Sequence, residues 1–360
     1  MSFLPKIFSG SNSITKEDVD VYIKNLSENI DVQSNILEIL EASHQYSHYI
    51  CQNALPSLFN ILIQSKLDDD IIADIFQIIN NSITDSEYSS ANALLIIDYD
   101  LAIPIIIDCI NTDKVKKKIA VIQIITKIGI LQPSQLQQRL TADQDRLVQF
   151  LTLINDPHQD VIHEFLSLIP ILVVNNSDFQ QLFAFNIMEK LMKLIESKVP
   201  LSIPALRSIL TANSNTQNLF FGTIENLSIM SSLLDEDDQE TILFFIDLFS
   251  GKNSANYRHY LKESNLINII LRKALTGHDQ FIRLLGLSIK NEPEFCKMIC
   301  ENKNLQTFLL MYLQTNNEVI ESCYLQFFKS FLYQSDESSK SLSELIVSIE
   351  DRNDPKLIEL

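Results

Sequence analysis

The strongest constraint on the fold of this 360-residue chain is an apolar segment that recurs about every 40 residues. Each copy begins with polar residues, continues as an apolar helix pattern and ends near a polar loop. Equivalent central positions lie 48, 45, 40, 38, 40 and 40 residues apart, at Leu58, Ile106, Leu151, Leu191, Ile229, Ile269 and Leu309. A period of this length is typical of helical repeat arrays, in which each unit buries its apolar face against its neighbours.

A second helix is predicted after each of these segments. Short acidic or Asn-rich turns lead into it, and Asp and Asn favour a helix start because their side chains accept hydrogen bonds from its free N–H groups. In one copy Ile72, Ile75 and Ile79 belong to an apolar stripe with helical spacing. Val161 and Phe165 begin a similar stripe in another copy. The pattern therefore predicts a helix with one side buried against other repeats.

A third, shorter helix is predicted between consecutive pairs, for example over residues 179–185, 217–221 and 293–300. Pro293 suits such a helix because proline is favoured in a first helical turn. Three helices in about 40 residues is the armadillo arrangement, whereas two helices would indicate HEAT repeats. The sequence therefore predicts an all-α, armadillo-like α-solenoid, a right-handed superhelix of three-helix repeats.

The repeats also predict the domain organisation. Seven units are recognisable over roughly residues 30–315, with caps at both ends. We expect the repeat domain to occupy residues 1–335. Residues 336–360 are more polar and are predicted to form a C-terminal helix or a frayed tail.

Composition excludes several other classes. The chain has 6 Gly residues, whereas β-sandwiches need many glycine turns and doubly wound α/β enzymes need glycine at the phosphate-binding turn. Its formal net charge is −18, which disfavours nucleic acid and anionic membrane surfaces as partners. The five cysteines are scattered, which is typical of reduced thiols in a cytosolic protein. The sequence has no membrane-length apolar run, and its first residues lack a signal-peptide pattern.

Motifs for catalysis are absent from the sequence. It contains no nucleophile elbow, P-loop, dinucleotide-binding fingerprint or HExxH zinc motif, so we expect a non-enzymatic protein without a cofactor. His44, His48 and Cys51 have a spacing that would place three zinc ligands on one helix face. The alternative, a solvated helix end, is favoured because no fourth ligand lies nearby. Cys296 and Cys300 are a metal or redox pair by spacing, but core packing is the favoured interpretation.

Two further clusters have both a functional and a structural interpretation. Lys114, Lys116, Lys117 and Lys118 could meet an acidic partner or a lipid headgroup, although a solvated rim at a helix start is the more usual outcome. Near the N-terminus there is a short apolar patch, which would touch a membrane or cover the open end of the solenoid. Its residues are Phe3, Leu4, Ile7 and Phe8.

Residues 146–221 contain Ala184-Phe185 followed by Glu189-Lys190-Leu191, and then a turn with Asn215, Gln217 and Phe220. In these features the segment resembles the globular head of the general vesicular transport factor family, the Uso-type tethers of endoplasmic-reticulum-to-Golgi traffic. The family's Ala-Phe-Glu-x-x-Phe-Glu-x-Leu segment is matched by Ala184, Phe185 and Glu189, with one residue fewer between the two parts. Its Ser-Asn-Gln turn is matched around Asn215, Gln217 and Phe220, with one residue more.

The positions that carry this resemblance also have a structural interpretation. We expect Ala184 to let two helices approach closely and Phe185 to pack on a turn. Asn215 and Gln217 are expected to cap a helix start and bond free backbone groups of a neighbouring repeat. They are therefore fold determinants or partner contacts.

The resemblance implies a role as a protein-docking module in vesicle tethering. Implied partners are Rab-type small GTPases, SNARE proteins and coat or tethering-complex subunits. It also implies a homodimer and a cytoplasmic protein that is peripheral on Golgi or transport-vesicle membranes. The alternative is a cytosolic armadillo-like scaffold that activates a protein kinase; its length fits, but that family's local motifs are absent.

Overall fold

A computed structural model describes residues 14–63, 68–84, 87–251, 260, 264–290, 293–301, 304–333, 336–348 and 356. Within these residues the ordered elements are helices and no strand is present. The predicted all-α, armadillo-like α-solenoid is therefore confirmed. Contacts divide the chain into two compact units, Met1–Val174 (unit 1) and Asn175–Leu360 (unit 2).

The helices are numbered in chain order within the described residues. Those of unit 1 are α1 Lys16–Ser27, α2 Val32–Ala42, α3 Ser47–Leu62, α4 Asp69–Ser82, α5 Ser89–Asp98, α6 Ala102–Asp108, α7 Val115–Leu131, α8 Pro133–Thr141, α9 Gln144–Leu151 and α10 Gln159–Val173. Those of unit 2 are α11 Ser177–Glu196, α12 Ser202–Leu210, α13 Ser214–Phe221, α14 Ile224–Asp235, α15 Gln239–Ser250, α16 Leu266–Ala274, α17 Asp279–Ile289, α18 Pro293–Glu301, α19 Asn304–Gln314, α20 Glu318–Leu332 and α21 Asp336–Ser348.

Each repeat ends in a third helix, and these third helices stack side by side. In unit 1 they are α4, α7 and α10, with α7 packed against both of the others. In unit 2 they are α12, α15, α17 and α20, packed in that order. The predicted stripes are their buried sides: Ile75, Val161 and Phe165 are fully buried. A third helix between two neighbours therefore keeps only a narrow exposed strip.

Helix starts carry the caps that the acidic and Asn-rich turns predict. The side chain of Asp238 accepts a hydrogen bond from the backbone N–H of Thr241 (2.8 Å), and Asn317 accepts one from Val319 (2.9 Å). Asp68 caps α4 in the same way. These caps satisfy N–H groups that the helix leaves free.

Polar contacts between repeats join residues that are about one sequence period apart. The side chain of Arg146 on α9 binds Asp108 on α6, 38 residues earlier, with Nε to Oδ1 at 2.9 Å. Lys198 binds Glu236, again 38 residues away, at 2.6 Å. Equivalent positions of consecutive repeats therefore touch, as stacking of like units requires.

One predicted element is wrong. The sequence predicts a short separate helix over residues 179–185, but α11 runs without interruption from Ser177 to Glu196. No glycine or proline lies within this range, and Phe183, Ala184 and Ile187 pack continuously into the core, so nothing ends the helix there. The predicted boundary at residues 335 and 336 stays a prediction; α21, beyond it, packs against α18 and α20.

Two phenylalanines on α11 provide a matched test of this packing. Phe183 is fully buried, whereas the side chain of Phe185 is 74% exposed. We expect Phe183→Ala to lower the free energy of unfolding by about 3–5 kcal/mol because it leaves a cavity. Phe185→Ala should change it by less than about 0.5 kcal/mol. Urea denaturation followed by circular dichroism measures both, and equal effects would contradict the described packing.

Candidate protein-interaction surface

The exposed strips of two third helices form a groove in unit 1. The small side chains of Ala73 on α4 and Ala120 on α7 leave space between the helices, and Phe76 and Ile124 lie below them. This α4–α7 groove encloses about 510 Å³. It is therefore a concave, partly apolar site on the face that stacking leaves exposed, which is the kind of surface that receives a partner's side chains.

Charges of both signs lie at one end of the α4–α7 groove. Asp68, Asp69 and Asp70 come from the start of α4, and Lys114, Lys116 and Lys117 from the start of α7. The nearest described approach between them is Lys114 Nζ to Asp69 Oδ2, at 3.6 Å between exposed side chains. Exposed ion pairs contribute little to stability, so these groups are available to a partner at small cost.

At its other end the groove is crossed by a lysine. Lys127 Nζ donates hydrogen bonds to Asn80 Oδ1 on α4 (2.6 Å) and to Thr84 Oγ1 just after α4 (2.8 Å). Farther along the strip, Gln123 on α7 donates to Glu164 on α10 at 3.4 Å. The exposed strip of the third helices therefore offers amides and carboxylates that can exchange hydrogen bonds with a polypeptide.

The predicted lysine cluster does not act as one patch. Lys114, Lys116 and Lys117 line the groove, but Lys118 turns into the boundary between repeats, where its Nζ lies 2.5 Å from Asp156 Oδ2. The Asp156 side chain is only 3% exposed. Although burial raises its pKa, hydrogen bonds from Lys118 and His158 outweigh this effect and hold the pKa of Asp156 below its usual value. Lys118 is thus a structural residue. It points away from the neighbouring lysines because a helix has about 3.6 residues per turn, so adjacent side chains face different directions.

The six residues of the family resemblance divide between core and surface. Ala184, Gln217 and Phe220 are buried, and Phe220 packs edge-on against Phe244 with ring centroids 5.8 Å apart. Buried Ala184 agrees with its expected role at a close helix contact. Phe185 lies within α11 and is exposed, so the expectation that it packs on a turn is wrong.

The exposed members of the set are on different helices. Glu189 lies one turn after Phe185 on α11 and binds Lys193, Oε1 to Nζ at 2.5 Å. The hydrogen bond from Lys193 lowers the pKa of Glu189. Asn215 is exposed on α13. Phe185 and Glu189 form a small exposed pair on one face of α11, whereas no described contact joins them to Asn215.

The expected capping roles are only partly correct. Asn213, not Asn215, caps α13: its Oδ1 accepts hydrogen bonds from the backbone N–H groups of Asn215 (3.1 Å) and Thr216 (3.3 Å). Gln217 does bond free backbone, because its Nε2 donates to the carbonyl of Leu210 at the end of α12 (2.8 Å). The missed signal was local: an Asn directly before a Ser-initiated helix is a preferred cap.

Asn213 also belongs to a buried network that the sequence does not reveal. Its Nδ2 donates to Ser177 O (2.9 Å) and to Gln180 Oε1 (3.0 Å). Gln180 in turn donates to the carbonyls of Ser208 (2.9 Å) and Thr211 (3.0 Å). The network joins the start of α11, the end of α12 and the start of α13, so it positions the exposed strip of the third helix α12.

The zinc hypothesis for His44, His48 and Cys51 does not fit the geometry. Both ring nitrogens of His48 are engaged, Nδ1 with Asn92 Oδ1 (2.6 Å) and Nε2 with Gln52 (2.9 Å). Cys51 is buried, which raises its pKa to about 12, and a thiol with such a pKa is a poor metal ligand. In the described residues no group of three metal-binding side chains comes together.

The structure bears on only some of the remaining hypotheses from the sequence. Cys296 is buried, which agrees with core packing. The patch of Phe3, Leu4, Ile7 and Phe8 lies outside the described residues. No single described helix is long and apolar enough to cross a membrane; only α5 with α6 reaches that length and composition, as a pair bent by 86°.

The fold and the grooved third-helix face define an armadillo-like α-solenoid, and solved structures share this fold at low sequence identity. A crystal structure of Uso1-2 superposes with a TM-score of 0.80 and 14% identity, covering 94% of this chain and 64% of that chain. A crystal structure of Uso1-1 gives 0.77 and 15%, covering 88% and 62%. An engineered protein gives 0.64 and 12%, covering 95% and 86%.

These comparisons bear on the fold. The chain spans less than two thirds of the length of the two Uso1 chains. No protein-family model matches it, and no curated protein matches it by sequence. The resemblance to the Uso-type tethers is therefore confirmed for the three-dimensional fold.

The pairing of Lys118 with the buried Asp156 generates one prediction. Lys118→Met leaves the carboxylate buried without its cation, so we expect it to lower the free energy of unfolding by about 3 kcal/mol. Lys116→Met, a change at an exposed lysine of the same helix, should cost less than about 0.5 kcal/mol. Chemical denaturation at neutral pH compares them, and equal losses would contradict the buried pairing.

The same pair predicts a pH dependence. The folded-state pKa of Asp156 is lowered, so its stabilisation is complete above the unfolded-state pKa near 3.9 and is lost as pH falls through the folded value. The stability advantage of the wild type over Asp156→Asn should therefore be constant from about pH 5 to 7 and shrink below about pH 4. An advantage that grew on acidification would contradict this assignment.

The cap of α13 generates another prediction. Asn213→Ala removes the acceptor for two backbone N–H groups and the donor to Gln180, so we expect a loss of about 2 kcal/mol. Asn215→Ala, on the same helix, should cost less than about 0.5 kcal/mol because its side chain is exposed. Thermal unfolding followed by circular dichroism distinguishes them. A larger loss for Asn215→Ala would indicate that Asn215 is the cap.

Proposed function

We propose that this chain is a non-enzymatic protein-docking module that acts in vesicle tethering during transport from the endoplasmic reticulum to the Golgi. The fold that it shares with the Uso1 crystal structures supports a tethering-related role. The observation that carries the docking mechanism is the α4–α7 groove, a concave site with an apolar floor and charges of both signs at its rim.

Docking at this groove follows from its chemistry. An apolar side chain of the partner enters between Ala73 and Ala120 and displaces water from above Phe76. Charged groups beside it pair with the Asp and Lys side chains at the groove end. Burying a few such anchors supplies most of the affinity of a protein interface, while the surrounding polar groups fix orientation.

The partners in this proposal are Rab-type small GTPases, SNARE proteins and coat or tethering-complex subunits. The chain is cytoplasmic, peripheral on Golgi or vesicle membranes, and forms a homodimer. The net charge of −18 favours partners with basic segments and makes association weaken at high salt. An armadillo-like scaffold for a protein kinase is the competing function, and the same experiment separates the two.

A groove-filling variant tests the proposal. Ala73→Arg places a long side chain in the α4–α7 groove, whereas Gln138→Arg adds the same charge at an exposed position of α8. We expect the wild type and Gln138→Arg to recover Golgi SNARE proteins and Rab GTPases from cell extract, and Ala73→Arg to lose at least tenfold of that recovery. Immunoblotting quantifies the bound proteins, and circular dichroism checks that both variants are folded.

The outcomes are distinct. Recovery of a kinase instead of trafficking proteins would replace the tethering proposal with the scaffold function. Equal recovery of trafficking proteins by Ala73→Arg and Gln138→Arg would retain tethering but reject the α4–α7 groove as the docking site. Failure of the wild type to recover any of these partners would reject the proposed function.

A further inference from the structure

A second groove, in unit 2, has a different chemical character. The third helices α17 and α20 pack closely: a Cβ added at Gly286 would lie 3.2 Å from the Cα of Phe327, so a larger residue is not accommodated there without a shift. Beside this contact a groove of about 510 Å³ runs along α20. We call it the α17–α20 groove, and its described lining residues are Lys290, Ser322, Leu325, Gln326, Lys329, Ser330 and Tyr333.

The described lining of this groove is cationic. Lys290 follows the end of α17 and Lys329 lies in the last turn of α20, while no Asp or Glu is among the described lining residues. Arg283, two helical turns before Lys290 on the same side of α17, is also exposed. Two lysines therefore converge on one concave site in a chain whose formal net charge is −18.

Because salt screens distant charges, the lysines of the groove dominate the electrostatic interaction with a bound group. At physiological ionic strength the Debye length is about 8 Å, so acidic groups farther than this from the groove act weakly on a group held inside it. The α4–α7 groove, by contrast, has three aspartates beside its three lysines. A carboxylate-bearing segment is therefore favoured more by the described charges of the α17–α20 groove than by the balanced charges of the α4–α7 groove.

The other lining groups suit a polypeptide. Tyr333 is 87% exposed at the end of α20, and tyrosine is over-represented among residues that dominate interface affinity. Leu325 supplies an apolar surface, and Ser322 and Gln326 supply hydrogen-bonding groups. The site is concave and small, which suits a segment of chain better than the broad flat surface of a bilayer.

We propose that the α17–α20 groove docks an acidic segment of a partner protein, with carboxylates on Lys290 and Lys329 and an apolar side chain against Leu325 and Tyr333. This site is distinct from the α4–α7 groove and does not depend on the trafficking role. It would give the protein two docking sites of different charge preference, one in each unit.

Fluorescence anisotropy with a labelled peptide rich in glutamate and leucine tests the proposal on the full chain. The reference peptide replaces each glutamate by glutamine. We expect the glutamate peptide to bind at least tenfold more tightly than the glutamine peptide. The double variant Lys290→Gln/Lys329→Gln should lose about tenfold or more in affinity, as expected when charge-assisted hydrogen bonds are removed. Tyr333→Ala should also weaken binding several-fold without unfolding the chain, because its side chain is exposed.

A control variant that loses the same number of lysines elsewhere keeps the test specific to the groove. Lys24→Gln/Lys193→Gln removes two exposed lysines outside the groove and should change affinity less than twofold. Equal losses in the two double variants would show that only net charge matters and would overturn the proposal. So would equal binding of the two peptides by the wild type. Lysine-dependent binding to phosphatidylserine vesicles without peptide binding would identify a membrane contact and also overturn it.

Discussion

The structure depends on burial of an apolar stripe on both sides of each interior third helix. In unit 1, α7 packs between α4 and α10, and in unit 2 both α15 and α17 have a third helix on each side. A single repeat cannot bury such a stripe alone, so stability resides in the stacking. The same burial leaves one narrow strip of each third helix exposed. Grooves arise where facing strips carry small side chains, as Ala73 and Ala120 do.

Stacking also leaves helix-end backbone groups to be satisfied, and at several helix ends the chain does this without a left-handed glycine, although Gly277 (φ 85°) follows α16 in that conformation. Helix C-termini leave carbonyls free, and glycine in the left-handed region commonly ends a helix, but the chain has only 6 Gly residues. Amide side chains of neighbouring helices bind these carbonyls instead: Gln137 binds Leu172 and Val174, Gln180 binds Ser208 and Thr211, and Gln217 binds Leu210. After several helices the left-handed residue is not glycine, as at Asn175, Lys198 and Ala212. Side-chain amides thus link helix termination to the packing of adjacent helices.

The role of a charged residue in this protein depends on its position in the repeat array. Lys116 and Lys118 are two residues apart on α7, yet one lines a groove and the other neutralises a buried aspartate in the boundary between repeats. The two grooves differ in the same way, since aspartates and lysines together rim one, whereas Lys290 and Lys329 are the charged residues of the described lining of the other. A strongly acidic chain can therefore present local surfaces that prefer different partners.

Much of the fold could be predicted because the periodicity of apolar residues is a local property that the helix geometry dictates. The predicted segment Ile224–Asp235 coincides with α14, and the acidic turns became caps at Asp68, Asp238 and Asn317. The α4–α7 groove was harder to predict from the sequence. Both alanines of the α4–α7 groove are ordinary helix residues in sequence. They form a groove only because α4 and α7 place them opposite each other, although they are 47 residues apart in the chain.

The sequence by itself determined the helices, their repeat length and the stripes that must be buried, because these follow from local spacing and from the need to remove apolar surface from water. Tertiary structure decided which polar residues became structural. It buried Gln217, paired Lys118 with a buried aspartate, left Phe185 in solvent, and brought Lys290 and Lys329 to one groove. The physical reason is that exposure and the direction of a side chain depend on the neighbouring repeat, and contacts between residues far apart in the chain leave no fixed local pattern.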